Sequence, residues 1–249
     1  MTIADVAARG FGSASDAYER GRPSYPADAV STLVERLSID PTSLIVDLAA
    51  GTGKLTRLLV PTGARVVAVE PVAAMRQVLR DRAPGAEVLA GTAEALPFAD
   101  QVVDTVVVAQ AFHWFDIDTA LTEVARVLRP GGGLGLVWND RDDTVPWVAE
   151  LSALIEWDDR PVPSYDEVDW AVVVGRTRLF SSVDTRRFRF QQRLDIDGLV
   201  DRVLSTSYIA ARPAAEQEAL AEAVRQLVAG RPEPLLLPYL TDVLWCRRR

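Results

Sequence analysis

The first half of the chain alternates short, continuous apolar runs with segments whose apolar residues recur every three or four positions. The continuous runs have the length of strands, and such runs are typical of strands buried on both faces of a parallel sheet. They are Ser43–Leu48, Ala64–Val69, Glu87–Leu89, Val103–Val108 and Leu134–Trp138. The periodic segments predict helices around Leu33–Leu37, Lys54–Val60, Met75 and Leu79, and Leu121–Leu128. Strands that alternate with helices indicate a doubly wound α/β sheet.

The pattern changes after residue 140. The predicted helices there span Pro146–Trp157, Asp169–Phe180 and, with a break at Pro213, Asp197–Ala229. Val183–Leu194 alternates arginine with phenylalanine, which predicts a strand with one solvated face, and Tyr239–Trp245 predicts a last strand. The second half is therefore expected to complete the sheet and to add a helical cap.

The arginines of this region allow two interpretations. Arg176–Arg193 holds six arginines and one acidic residue, Asp184. The stretch either binds an anionic partner or forms the solvated face of an edge-like strand, with the aliphatic stems of its arginines lying along apolar surface. The second interpretation is the favoured one.

The composition is that of an ordinary folded domain. Hydrophobic residues make up 49% of the 249 positions and charged residues 25%, which excludes a disordered chain and allows a large core. The formal net charge of −8 argues against a dedicated nucleic-acid binder, because a surface that holds phosphate backbones is normally basic. We expect a small-molecule partner, no nucleic acid, and a monomer or homodimer.

Three features bear on the cellular setting. Cys246 is the only cysteine, so no internal disulfide can form, and no cysteine–histidine cluster has metal-ligand spacing. The first 30 residues contain no basic segment followed by an apolar one, which speaks against a signal peptide. Thr105–Phe112, one of the longest apolar runs, is too short to span a bilayer. We expect a cytoplasmic protein with no metal and no membrane partner.

The candidate site begins where the first predicted strand runs into a glycine-rich turn. Residues 46–56 read VDLAAGTGKLT, so Asp47 precedes the turn, and Gly51 and Gly53 lie within it. Glycines there let the backbone approach a ligand, because no Cβ stands in the way. Glu70 ends the second strand, where its carboxylate can accept hydrogen bonds from both hydroxyls of a ribose. Ligand sites in parallel sheets lie beyond the carboxyl ends of the strands.

A strand, a glycine-rich turn and a later acidic residue are also the fingerprint of dinucleotide-binding enzymes. Thr56 stands where the third glycine of that fingerprint would be, and Asp47 suits a cationic ligand better than a pyrophosphate. A nicotinamide-dependent oxidoreductase is therefore a less favoured alternative. The other alternative is a tight turn that has a structural role and binds no ligand.

Five blocks in this region, by their order and spacing, resemble the class I S-adenosylmethionine-dependent methyltransferases. The blocks are Asp47–Gly53, Glu70–Pro71, Gly91–Phe98, Asp104–Trp114 and Leu128–Gly132. The resemblance covers most of residues 11–140 and is much more specific than a glycine motif alone. It implies a Rossmann-like fold, in which a doubly wound sheet of seven mostly parallel strands carries an antiparallel last strand beside the fifth.

Two further blocks resemble a small-molecule branch of that family, which includes enzymes similar to trans-aconitate methyltransferase. They are Phe11 with Tyr18–Pro26, and Gln110–Phe115. The resemblance implies one methyltransferase domain over residues 1–249, with an N-terminal lid at 1–30, a cofactor-binding core at 31–140, and a cap with the final strands at 141–249. It suggests a class of acceptor and no particular compound.

The resemblance also assigns cofactor-binding roles. Asp47, Gly51 and Gly53 would hold the methionine end of S-adenosylmethionine, and Glu70 would bind its ribose. Pro71 and Met75 would flank the adenine or ribose, Thr92, Ala93 and Glu94 would meet the adenine edge, and Gln110 and Ala111 would lie near the sulfonium. Ala49 departs from the family pattern, which has glycine at that position, and its methyl group would lie close to the cofactor.

The segment around Tyr18 and Arg22 is expected to act as a lid. These residues are four apart, hence on one helix face if the segment is helical, and Pro23 and Pro26 then break the helix. Arg22 would pair with the cofactor carboxylate in a bidentate geometry, or else be a surface arginine. Tyr18 would be a catalytic base for an acceptor that must lose a proton.

His113, the only histidine, follows the fourth predicted strand. It would be a catalytic general base if the acceptor is a phenol, an amine or a carbon acid, and otherwise it would line the pocket. A carboxylate acceptor is already ionised, needs no base, and favours binding by arginines. The residues expected at the acceptor are Trp114, Trp138, Asn139, Tyr208 and Arg212.

The function expected from the resemblance is methyl transfer from S-adenosylmethionine to a small molecule, with a carboxylate as one candidate acceptor. The reaction is an in-line displacement, in which the protein aligns the nucleophile, the methyl group and the sulfur and excludes water. A non-catalytic protein that binds the same cofactor is the alternative on this fold.

Overall fold

The computed structural model describes residues 21–158 and 168–249, and its central feature is a seven-stranded sheet. The strands are β1 Leu44–Leu48, β2 Arg65–Val69, β3 Glu87–Leu89, β4 Val103–Ala109, β5 Leu128–Arg141, β6 Asp184–Leu194 and β7 Leu235–Arg247. Their order across the sheet is β3-β2-β1-β4-β5-β7-β6. The chain therefore builds outward from β1 in one direction, returns, and continues from β4 in the other.

The first helix precedes β1, and the other helices lie between strands, three of them between β6 and β7. They are α1 Ala27–Arg36, α2 Thr56–Leu59, α3 Ala73–Arg82, α4 Ile117–Val127, α5 Pro146–Leu154, α6 Trp170–Arg176, α7 Ile196–Leu204, α8 Ser207–Ala210 and α9 Ala214–Leu227. Short 3₁₀ helices cover Val60–Thr62 and Phe112–Trp114. None of the helices within the described ranges is long and apolar enough to cross a membrane.

The directions of the strands follow from their pairing. β1 runs parallel to β2 and β4, β2 to β3, and β4 to β5. Backbone bonds join Arg248 to Gly132 and Asp142 to Pro238, so residue numbers rise along β5 as they fall along β7. The last strand is therefore antiparallel and lies beside the fifth. The predicted doubly wound, mostly parallel seven-stranded sheet is confirmed.

The fifth strand begins earlier than the sequence pattern predicts. The prediction starts it at Leu134, whereas β5 starts at Leu128, directly after α4, and includes Pro130 with the three glycines that follow. The pairing of β4 with β5 shifts register between Val103 and Thr105, and this irregularity accommodates the Pro-Gly segment. Glycine is required within it, since a Cβ on Gly132 would stand 2.8 Å from a backbone oxygen.

The late helical region contains three helices, α7, α8 and α9, where the sequence predicts two over Asp197–Ala229. The predicted break at Pro213 is present, and a further one follows Leu204. The hydroxyl of Ser205 donates to the carbonyl oxygen of Arg202 (2.9 Å). Serine and threonine hydroxyls bond to nearby backbone groups in this way and weaken a helix, which explains the additional break.

The described residues form two compact units. The sheet unit comprises residues 24–138, 168–188 and 241–249, and the second unit comprises residues 21–23, 139–158 and 189–240. In the sheet unit, alternate strand residues enter cores on opposite faces: Val46 and Val106 lie in one, Ile45 and Val107 in the other. The core of the second unit joins α5, α7 and α9 to the buried Tyr239 of β7.

Candidate functional site

The candidate site of the sheet unit is built around the turn that follows β1. Ala49, Gly51 and Gly53 all have positive φ, at 55°, 59° and 84°. This left-handed conformation is open to glycine, but it strains alanine because of its Cβ. The N–H of Gly53 donates to the carbonyl oxygen of Ala50 (2.9 Å), which closes the turn. The strain at Ala49 gives a physical reason why glycine suits that position.

Asp47 is buried beneath this turn, with 1% of its surface exposed. The hydroxyl of Thr56 donates to its Oδ2 at 2.5 Å, while its Oδ1 is buried and has no hydrogen-bond partner among the described residues. Burial raises the pKa of Asp47 to about 7, and the nearby charge of Glu70 adds to the rise. A donor or a cation that reached Oδ1 would satisfy the oxygen and favour the ionised form.

Glu70, directly after β2, is the second buried carboxylate, with 4% of its surface exposed. Its Oε2 accepts from the N–H of Gly51 (2.9 Å) and its Oε1 from the N–H of Val72 (2.8 Å). Burial raises its pKa, and these two bonds oppose the rise. Each carboxylate oxygen keeps a second lone pair, so the group can accept two further hydrogen bonds.

The first turn of α3 completes this edge of the site. Met75 is buried, and its sulfur lies 3.8 Å from the point that a Cβ on Gly51 would occupy. Pro71 is exposed, and its carbonyl oxygen accepts from the guanidinium of Arg76 at 2.8 Å. The structure thus brings together five of the residues predicted at the cofactor. They are Asp47, Gly51, Glu70, Pro71 and Met75.

The segment predicted to meet the adenine edge follows β3. Ala93 is buried and Thr92 is exposed. Glu94 accepts from the N–H of Asp116 at 3.2 Å, so one of its carboxylate oxygens is already used at the start of α4. The segment has a fixed backbone, because Glu123 and Arg126 of α4 bond to the N–H and the carbonyl of Leu96 (2.9 and 3.2 Å).

Gln110 and Ala111 follow the end of β4, the neighbour of β1 in the sheet. Gln110 has a positive φ of 61°, and its N–H donates to the carbonyl oxygen of Val137 (2.9 Å). Left-handed residues therefore follow two adjacent strands, Ala49 after β1 and Gln110 after β4. Residues held in such conformations cluster at functional sites.

His113 lies on the short 3₁₀ helix after Ala111. The indole N–H of Trp138 donates to its Nδ1 at 3.5 Å, and the ring of Trp114 lies 5.2 Å away. Because an accepting nitrogen carries no proton, the neutral ring is protonated on Nε2. Trp138 also stacks on Trp170, with the ring centroids 5.6 Å apart. This arrangement holds His113 and leaves its Nδ1 lone pair directed at the indole.

Several of the predicted site residues lie in the second unit, and three of them form hydrogen bonds or ion pairs with other residues of that unit. Arg22 donates to the carbonyl oxygen of Ser205 (3.2 Å), and the hydroxyl of Tyr208 to that of Ile155 (2.7 Å). Arg212 pairs with Glu156 at 2.5 Å. Asn139 is buried. Tyr18, the other predicted catalytic residue, lies outside the described residues.

Sequence reasoning missed two buried arginines of the second unit, Arg141 and Arg202, each 5% exposed. A signal for Arg202 was present: it is three residues after Leu199, on the face of α7 that also buries Val203. Arg141 ends the long buried run of β5, a position where a cation is unusual.

Comparisons with known proteins agree on one kind of enzyme. A family model described as a methyltransferase domain matches residues 46–136, which contain the turn, Glu70 and the segment after β4. An uncharacterized methyltransferase of Mycobacterium tuberculosis is 44% identical over 236 residues, which cover 93% of this chain and 92% of that protein.

Solved structures of low sequence identity share the fold. A putative methyltransferase from an antibiotic biosynthesis pathway of Anabaena variabilis has a TM-score of 0.68 at 20% identity, covering 90% of this chain and 98% of its own. A geranyl diphosphate methyltransferase in complex with S-adenosylmethionine has a TM-score of 0.51 at 17% identity, covering 90% and 85%.

Proposed function

The chain belongs to the class I S-adenosylmethionine-dependent methyltransferases, and we propose that it transfers the methyl group of S-adenosylmethionine to a small-molecule acceptor. Membership rests on the mycobacterial relative, which matches over nearly the whole of both chains. The acceptor class is our proposal, and the resemblance of two sequence blocks to the branch with trans-aconitate methyltransferase supports it.

The observation that carries the proposal is the pair of buried carboxylates at the ends of β1 and β2. Glu70 keeps a lone pair on each oxygen, which fits the two hydroxyls of a ribose. Asp47 keeps a buried oxygen without a partner in the described ranges, which fits the cationic methionine end of the cofactor. The bonds of Glu70 to Gly51 and Val72 hold the turn and the start of α3 in place beforehand.

S-adenosylmethionine supplies a methyl group that is already activated by its positively charged sulfur. The protein's contribution is then to orient the two reactants and to keep water out. Glu70 would hold the ribose end, the backbone of the Ala49–Gly53 turn would border the methionine end, and Gln110 with Ala111 would border the reacting end. Asp47 stays ionised more readily once a cation stands beside it.

A carboxylate acceptor fits this site better than one that needs a base. Nδ1 of His113 accepts from Trp138, and the neutral ring then carries its proton on Nε2. To act as a base at Nδ1, His113 would first have to give up its hydrogen bond with Trp138. An acceptor that is ionised in solution would need no proton removed.

The test is calorimetric titration with S-adenosylhomocysteine, with NADH as the parallel ligand. We expect micromolar binding of S-adenosylhomocysteine to the wild type. Its affinity should fall at least tenfold in Glu70→Gln, because the amide has one accepting oxygen where the carboxylate has two. Glu87→Gln is the matched control, since Glu87 is an exposed residue of β3 paired with Arg65. Binding of NADH in place of S-adenosylhomocysteine, or equal affinity in both variants, would reject the proposed cofactor site.

A further inference from the structure

We propose that Arg141 and Arg202 of the second unit form a binding site for a carboxylate group of the acceptor. This inference rests on the proposed function and names the chemical class of its substrate. The second unit holds both arginines, together with every residue that contacts them in the following argument.

Arg141 is the last residue of β5 and is almost fully buried. Its Nε donates to the hydroxyl of Ser152 (3.2 Å), which itself donates to Asp143 (2.9 Å). Its guanidinium carbon lies 4.3 Å from the ring centroid of Trp157, a cation–π contact. Its Nη2 is buried and has no hydrogen-bond partner within residues 21–158 and 168–249. One edge of the guanidinium fork is thus held, and the terminal nitrogen is left over.

Arg202 projects from α7 into the same unit. Its Nε donates to the hydroxyl of Tyr239 (2.9 Å) and its Nη1 to the hydroxyl of Thr206 (3.4 Å). The ring of Tyr239 is fixed by stacking on Phe190, with centroids 5.2 Å apart. Both partners of Arg202 are therefore hydroxyl groups, which orient the guanidinium, and neither is a carboxylate.

The charge of Arg202 acts on Arg141. Burial lowers the pKa of Arg141, and the positive charge of Arg202 lowers it further, while Tyr239, Asp140 and Asp143 oppose this. Within the part of the chain that the structure describes, neither arginine forms an ion pair with a carboxylate. Buried charges normally have a counter-charge, because a charge that is removed from water without one is strongly destabilising. An anion from outside the chain would supply it.

A carboxylate suits this geometry. It is planar and accepts hydrogen bonds from the terminal nitrogens of a guanidinium, and Nη2 of Arg141 has no partner among the described residues. Phosphate groups are bound by the same chemistry. A carboxylate is favoured here because its planar shape matches the planar guanidinium group, whereas a phosphate is tetrahedral.

The experiment is calorimetric titration of the full chain with malonate, in a buffer free of carboxylate and phosphate. Malonamide, its neutral counterpart, and inorganic phosphate are the parallel ligands. We expect malonate to bind the wild type, malonamide not to bind, and Arg141→Gln and Arg202→Gln each to weaken malonate binding at least tenfold. Arg225→Gln, which removes an exposed arginine of α9 paired with Asp197, should bind malonate as the wild type does.

Thermal unfolding separates binding from folding. Arg141→Lys keeps the charge and loses the forked geometry, so we expect it to stay folded and to bind malonate more weakly than the wild type. Equal binding of malonate and malonamide, or malonate affinity unchanged in a folded Arg141→Gln or Arg141→Lys, would overturn the proposal. Tighter, Arg141-dependent binding of phosphate would overturn it in favour of a phosphoryl ligand.

Titration with S-adenosylhomocysteine in the same variants distinguishes this inference from the proposed function. If S-adenosylhomocysteine binds and malonate does not, the proposed carboxylate site is rejected and the proposed cofactor site stands. If malonate binds in an Arg141-dependent way and S-adenosylhomocysteine does not bind, the proposed carboxylate site stands and the proposed cofactor site is rejected.

Discussion

Asp47 is a carboxylic acid placed where ionisation costs free energy. Its pKa is about 7 in the folded chain against 3.8 in the unfolded one, so its contribution to stability is complete below pH 3.8 and is lost as pH rises through 7. We expect Asp47→Asn, which is neutral at every pH, to be more stable than the wild type at pH 8 by up to about 4 kcal/mol. The advantage should shrink at pH 5. Urea unfolding at both pH values measures it.

The same substitution has an opposite effect on binding. A neutral amide at this position would not attract a cation, so S-adenosylhomocysteine should bind more weakly to Asp47→Asn. Thr56→Val serves as the control for the lost hydrogen bond, because it removes the donor at 2.5 Å and keeps the carboxylate. A stability difference that does not change between pH 5 and pH 8 would contradict the raised pKa.

Ala49 offers a second prediction at this scale. Its φ of 55° strains a residue with a Cβ, so Ala49→Gly should raise the free energy of unfolding by roughly 0.5–1 kcal/mol. For a chain of this size that corresponds to a rise in Tm of about 2 °C. Ala219→Gly, at an exposed position within α9, should instead lower stability by about 1 kcal/mol. Destabilisation by both changes would mean that Ala49 is not strained.

At the residue scale, the sequence predicts the site residues that belong to a motif. It misses the residues whose surroundings depend on how the chain folds around them. Asp47 and Glu70 stand out because each is an acidic residue at or near the end of an apolar run, and the structure brings both to the turn after β1. Arg141 and Arg202 lie in different segments, and nothing in either segment indicates that one guanidinium will affect the other. Their proximity is a product of the fold of the second unit.

At the scale of elements, α4 positions a loop that it does not belong to. Glu123 and Arg126, on adjacent turns, bond to both backbone groups of Leu96, and Arg126 also donates to Phe98 (2.9 Å) and Asp100 (2.6 Å). The segment predicted to meet the adenine is therefore held by one helix.

We expect Arg126→Met to loosen this segment and to weaken S-adenosylhomocysteine binding about tenfold, because four hydrogen-bond partners lose their donor. Calorimetry measures the affinity, and hydrogen exchange at Ala93 and Ala95 reports the loosening. Arg65→Gln, in the exposed pair with Glu87, is the control and should change neither. Faster exchange with unchanged affinity would show that the segment does not contribute to binding.

Elements with a clear pattern of apolar residues are predicted well, whereas the residues at which elements begin and end are predicted less accurately. β1, β2, β3 and β4 agree with the predictions to within about a residue. The start of β5 is missed, since Pro130 and three glycines signal a loop. Gly133 pairs with Thr105 of β4, and Gly131 and Gly132 form backbone bonds with Arg248, which the sequence pattern does not indicate. The break after Leu204 is missed because Ser205, which contributes to it, acts through a hydrogen bond to the backbone.

At the scale of the whole molecule, charge governs which partners can approach. The net charge of −8 gives no basic field for a phosphate backbone, so any RNA affinity should show a salt slope near zero. Fluorescence titration with a labelled RNA between 50 and 200 mM salt, about the range over which phosphate contacts weaken binding, measures the slope. A steep loss of affinity with salt would reveal a local basic surface and contradict the proposed small-molecule acceptor.

The overall architecture follows from the order of the predicted strands and helices, whereas the division into two units does not. Alternating strands and helices leave few arrangements of a parallel sheet. The second unit is assembled from residues 139–158 and 189–240 with residues 21–23, which are far apart in the sequence. Its core depends on side chains such as Tyr239 that sequence periodicity does not link to α5 or α7.

The two borders of the sheet bear on the solubility of the protein. A border strand has unpaired backbone groups, which can recruit a strand from another molecule and begin aggregation. At one border β3 is only three residues long, and at the other β6 has arginines at 186, 187, 189 and 193. A second copy pairing along β6 would bring two rows of positive charge together. We therefore expect the arginines of β6 to oppose pairing of this border with a second molecule.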